Sequence, residues 1–62
     1  MNVIRFNEDV TCIAIYDDKY EVWSLWYSAE EYSEGAERDV MCASFASAMR
    51  RAGAFYSEHQ GW

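Results

Sequence analysis

Ser28-Ala29-Glu30-Glu31-Tyr32-Ser33-Glu34-Gly35-Ala36-Glu37-Arg38-Asp39 separates a half that reads as strands from a half that reads as helix. Glu30, Glu31, Glu34, Glu37 and Asp39 stand against one base, Arg38, so these twelve residues hold a net charge of −4 out of the chain's −6. Ser28 and Glu31 have the spacing of a capping box, in which the hydroxyl accepts from the third helical amide and the glutamate reaches back. Acids in a first turn also suit the positive end of the helix dipole. A helix therefore starts at Ser28.

Upstream, Val3–Phe6 is a short β-prone run and Asn7-Glu8-Asp9 reads as a turn. Val10–Tyr16 is rich in β-branched residues and Tyr20–Tyr27 in aromatics, so both read as strands. A tight turn at Asp17-Asp18 would place Cys12 opposite Trp23, Ile13 opposite Val22 and Ala14 opposite Glu21. One face then carries Ile13, Ile15, Tyr20 and Val22, and the other Val10, Cys12, Trp23 and Leu25. Both are apolar, which is unusual for a sheet with one side in water. The second face either meets the C-terminal tail, with Trp62 folded back on it, or is left for a partner.

Downstream, Met41, Phe45, Ala48, Met49 and Ala52 follow the spacing of one buried helical stripe, which predicts a helix over Glu37–Ala52. Arg50 and Arg51 suit its negative end and Gly53 its C-cap. Ala54–His59 reads as a last strand, with Gln60-Gly61-Trp62 as an irregular end. An unbroken helix from Ala29 to Ala52 would align Glu30, Glu34 and Glu37 with the core residues Met41 and Phe45. Either the first two turns overhang the sheet and carry the acids beyond the core, or the helix breaks near Gly35, the simpler account because glycine costs about 1 kcal/mol inside a helix. Ala29 and Tyr32 then turn inward while the acids face water. The expected fold is a single α+β domain over residues 1–62, with two or three antiparallel strands packed on the main helix and a short acidic helix before it.

The totals narrow the function. A 62-residue chain lies near the lower limit for folding without a disulfide, a metal or a partner. Three Trp, five Tyr and three Phe exceed what so small a core hides, and surface rings anchor interfaces. With 11 acids against five bases, direct binding to nucleic acid or an anionic membrane is disfavoured. Met1–Phe6 runs straight into Asn7, Glu8 and Asp9, unlike a signal peptide, and no stretch is long enough to span a membrane. Two cysteines without an export signal indicate reduced thiols in a cytoplasm.

No catalytic, cofactor or metal motif stands out. His59 is the sole histidine, and Cys12 and Cys42 lack the neighbours of a nucleophilic cysteine. Cys12, Cys42 and His59 lack the fourth ligand and the paired spacing of a zinc site. A Cys12–Cys42 disulfide is geometrically allowed if helix and strand pack, but a reducing compartment opposes it. The acids do not match a calcium loop. Glu30, Glu31, Glu34, Glu37 and Asp39 are therefore candidate partner-binding residues. Acids at i, i+4 and i+7 would recur about every 6 Å along a helix and could fill a Lys/Arg groove built for phosphates.

In its acidic helix, aromatic hairpin, length and element order, the chain resembles the small phage and mobile-element anti-CRISPR proteins directed at type I effectors, type I-C among them. The resemblance implies a non-enzymatic inhibitor in the cytoplasm of a bacterial host. Such an inhibitor would be monomeric and would occupy a basic nucleic-acid-binding surface of the effector as a DNA mimic. An acidic antitoxin, a modulator of host transcription or restriction, and a small structural homo-oligomer are the alternatives.

Overall fold

The computed structural model describes residues 1–60. Its element order is β1 (Asn2–Arg5), β2 (Thr11–Asp17), β3 (Val22–Trp26), α1 (Ala29–Ser33), β4 (Val40–Cys42) and α2 (Phe45–Gln60). The strands form one antiparallel sheet in the order β1-β2-β3-β4. The chain is thus an α+β domain with a C-terminal main helix and a short acidic helix before it, and the sheet has four strands.

The β1–β2 turn is built by Asn7, whose Oδ1 accepts from the amides of Asp9 and Val10, both at 2.8 Å. The β2–β3 connection is longer than a two-residue turn. Asp17 ends β2, its Oδ1 accepts from the Lys19 amide at 3.0 Å, and Glu21 closes the loop with a left-handed φ of 55°. The register moves accordingly: Tyr16, not Cys12, lies opposite Trp23, and Ala14 lies opposite Leu25. Ile13 pairs with Trp26 rather than Val22. Because this shift preserves parity, the two faces keep the composition expected of their strand residues.

Ile4, Cys12, Ala14, Leu25 and Cys42 form the core with Ala48 and Ala52 of α2. Both alanines are fully buried, so the helix backbone comes close to the sheet at its centre. Larger rings fill the perimeter. Phe45 lies against Trp23, Phe55 stacks on Tyr27 and Tyr56 stacks on Phe6, with ring centroids 5.0, 4.3 and 4.6 Å apart. Such pairs contribute about 0.5–1.5 kcal/mol each beyond their buried area.

The helix expected over Glu37–Ala52 is displaced towards the C-terminus. Val40–Cys42 pairs with β3, Ser44 caps α2 by accepting the Ser47 amide at 3.1 Å, and the helix runs to Gln60. Met41 is therefore a strand residue, 58% exposed, and Met49 is 43% exposed on the outer side of α2. Phe45, Ala48, Ala52, Phe55 and Tyr56 are the stripe that faces the sheet. Ala54–His59 is helical, and Arg50, Arg51 and Gly53 lie inside α2 rather than at its end. Trp62, the expected cover for the second sheet face, lies outside the described residues.

The helix does break at Gly35. Its N-terminus is capped by Ser28 Oγ, which accepts from the Glu31 amide at 3.3 Å, and α1 ends at Ser33 with Glu34 as its C-cap. Gly35 follows with φ of 84°. Replacing it by alanine forces a Cβ into left-handed geometry and is expected to lower stability by about 1–2 kcal/mol. A Cβ on Gly53 would meet nothing within 4 Å, so Gly53→Ala should raise stability by about 0.5–1 kcal/mol through helix propensity. Urea midpoints of the two variants moving in opposite directions are the check.

Candidate functional site

On leaving β3 the chain crosses to the second sheet face, the side away from α2. Tyr32 meets Trp26 edge-on at 4.9 Å between ring centroids, and Trp26 Nε1 donates to the Ala36 carbonyl at 2.8 Å. Ile13, next to Trp26 in the register, is buried. The segment between β3 and β4 thus covers part of the second face. At the two edges of this face Val3 on β1 is 56% exposed and Met41 on β4, opposite Ser24, is exposed as well.

Glu30, Glu31, Glu34 and Glu37 are all exposed, while Ala29 and Tyr32 are half-buried. Glu30, Glu31 and Glu34 belong to one turn and a half of helix. Glu37 lies beyond Gly35, so no helical ridge carries the i, i+4, i+7 repeat as far as Glu37. Glu8 and Asp9, from the β1–β2 turn, lie around a shallow hollow with Glu30, Thr11, Ser28 and Ala29. Tertiary structure therefore adds two acids to the surface that the contiguous stretch does not contain.

Asp39 is exposed as well and also holds the fold together. Its Oδ2 accepts from the Tyr27 amide at 2.9 Å, and its own amide donates to the Leu25 carbonyl at 2.8 Å. These bonds fasten the entry of β4 to the exit of β3. Asp39→Ala is expected to cost about 1–2 kcal/mol by removing the charged acceptor of the Tyr27 amide, whereas Glu34→Gln should stay within about 0.5 kcal/mol of the parent. Thermal unfolding of the two variants separates the structural acid from the surface acid.

Arg38 is the residue whose role the sequence concealed. Its Nη1 donates to Asp17 Oδ2 at 3.2 Å and to Ser24 Oγ at 2.9 Å, and the guanidinium lies 5.8 Å from the centre of the Tyr20 ring. Among the described residues Arg38–Asp17 is the one ion pair. The single base of the acidic segment is thus directed across the sheet to an acid 21 residues away. Adjacency to Glu37 and Asp39 in sequence gave no sign of it.

Cys12 and Cys42 are buried free thiols on β2 and β4, with β3 between them. Strands lie about 4.8 Å apart, so the two are about 10 Å apart across the sheet alone. That exceeds the roughly 7 Å limit of a disulfide and rules out the pairing that helix-on-strand packing would have allowed. Cys42 is opposite Trp23, and Cys12 Sγ lies 3.6 Å from the Tyr27 carbonyl. His59 Nδ1 lies 2.9 Å from the Phe55 carbonyl and its ring packs on Phe55, on the far helix.

Burial, with a smaller contribution from the Asp39 charge, pushes the Cys12 thiol above its ordinary value of 9.0. Desolvation also raises Tyr27 above 10.0, against the opposing effect of Arg51. In each case the folded state holds its proton more tightly than the unfolded chain. The stabilisation is complete below the unfolded value and is lost as pH rises through the folded one. Unfolding free energy should therefore be insensitive to these groups at pH 7 and fall progressively above about pH 9. Urea titrations from pH 7 to 10.5 test this, and Cys12→Ala, though less stable overall, should show a shallower decline.

Among the described residues no helix is long and apolar enough to cross a membrane. No protein-family model matches the chain, and comparison with curated proteins and with solved structures gives no match.

Proposed function

We propose that the protein is a non-enzymatic binder that presents the acids of α1 and its flanks to a basic protein surface. The observation that carries this reading is the position of Arg38. The one base of Ser28–Asp39 is paired with Asp17 over the second sheet face, so it does not neutralise Glu30, Glu31 and Glu34. Fixed, unpaired carboxylates attract a Lys/Arg surface at long range and make association fast and salt-sensitive.

The partner class follows from charge. A groove that binds nucleic acid already displays the cations these carboxylates need, so occupying it blocks the nucleic acid. The resemblance to anti-CRISPR proteins makes a type I effector complex the first partner to test, with inhibition of DNA binding as the activity. Mimicry here is of charge density rather than of phosphate spacing, because α1 is too short for a repeating ridge. Glu37, beyond the break, extends the acidic surface, and Asp39, also exposed, ties the segment to β3.

The test is binding to an immobilised type I effector with duplex DNA as competitor. Excess DNA should displace the protein, and affinity should fall steeply between 50 and 200 mM salt. Glu30→Gln, Glu31→Gln and Glu34→Gln combined should weaken binding about tenfold or more at low salt. Gln at position 31 remains compatible with the capping box, so the variant should keep its fold. Undiminished binding by this variant, or none by the parent at low salt, would rule out the reading for that partner.

A further inference from the structure

The second sheet face opens into a recess of about 570 Å³ between β3 and the loop that precedes β4. It is lined by Asp17, Ser24, Trp26, Glu37 and Arg38. It is open to solvent on one side and has room for a long side chain laid across it. Two carboxylates, one guanidinium, a hydroxyl and an indole meet there.

The recess has an internal balance that leaves one charge over. Arg38 donates to Asp17 and to Ser24, so its positive charge and the Asp17 carboxylate offset each other. Glu37 is exposed and has no such counter-ion among the described residues. Trp26 has already given its one donor to the Ala36 carbonyl, so it offers a visitor its π surface. Tyr32 packs edge-on against it and holds the ring in place.

A carboxylate beside a fixed indole selects the chemistry of the occupant. An anion would be repelled by Glu37 and by the net charge of −6. A purely apolar group would desolvate Glu37 without pairing it. A guanidinium satisfies both walls, since it pairs with a carboxylate through a planar fork, stacks on aromatic faces and is weakly hydrated. A lysine ammonium offers the charge without the stacking plane.

We propose that this recess receives an arginine side chain from a basic partner segment, with Glu37 as counter-ion and Trp26 as stacking surface. The proposal rests on the acidic-binder reading and assigns the partner's anchor to a place outside α1. Aromatic and arginine anchors in pockets carry a large share of interface energy, and the long-range attraction of Glu30, Glu31 and Glu34 brings such an anchor within reach.

The experiment is a titration of the isotope-labelled full chain with a hexa-arginine peptide at low salt, followed by amide and indole NMR shifts. The Trp26 indole N–H and the amides of Ser24, Glu37 and Arg38 should move together and saturate. Glu37→Gln should weaken this response about fivefold or more, as expected for loss of a charge-assisted contact. The variant carrying Glu30→Gln, Glu31→Gln and Glu34→Gln should retain the same pattern of shifts at Trp26. Hexalysine, equal in charge, should move the indole several-fold less, and an equal indole response overturns the guanidinium assignment. Shifts confined to Ala29–Glu34 overturn the recess while leaving the acidic surface as the binding element. No shift anywhere at low salt overturns both.

Discussion

The close approach of α2 to the sheet at Ala48 and Ala52 is the constraint from which the rest of the fold follows. With no side chain beyond Cβ at either position, the helix backbone lies near Leu25 and Cys12, the largest fully buried side chains. A core of such small groups cannot by itself offset the conformational entropy of ordering the chain. The aromatic perimeter makes up the difference. Trp23 with Phe45, Tyr27 with Phe55 and Phe6 with Tyr56 clamp the helix at several points along its length. The high ring content thus serves packing at the rim of a thin core, and Trp26, unlike Trp23, lies over the opposite face.

The same constraint explains what the sequence disclosed and what it hid. Val10–Tyr16 and Tyr20–Tyr27 show their strands through residue type, and Ser28-x-x-Glu31 shows its cap through local chemistry. Phe45, Ala48 and Ala52 show the helical stripe. Met41 misleads because it continues that stripe backwards by four residues, although it belongs to a three-residue strand too short to display an alternation of its own. Gly53 misleads in the opposite direction. Its helix does not end, because Phe55 and Tyr56 anchor the following turns on Tyr27 and Phe6, which tertiary packing decides and local propensity does not.

The acidic stretch was legible as charge but not as geometry. The clash between an acidic and an apolar stripe on one continuous helix favoured a break near Gly35 over an overhanging helix. The break is there, with Gly35 at a left-handed φ, although Met41 proves to be a strand residue and not part of that stripe. The division of labour among the acids was beyond the sequence. Asp39 and Glu37 differ by two positions, yet one accepts the Tyr27 amide and the other lines a recess. Arg38, between them, contacts a residue on β2 whose proximity depends on a hairpin register that the four-residue connection after Asp17 shifts.

That register links the two faces of the molecule. With Asp17 at the end of β2 and Ser24 opposite Ile15, a carboxylate and a hydroxyl lie on the second face within reach of one guanidinium. Arg38 fills that position and is removed from the acidic surface by doing so. The Trp26–Ala36 and Asp39–Tyr27 bonds hold the intervening loop on either side of it. A partially exposed ion pair contributes little to stability on its own, commonly about 1 kcal/mol or less. Its larger consequence is the charge it leaves unbalanced. These bonds fix the loop, and α1 carries its exposed carboxylates on the same ordered segment. Stability and charge presentation therefore depend on the same few bonds, and a change that loosens the loop weakens both.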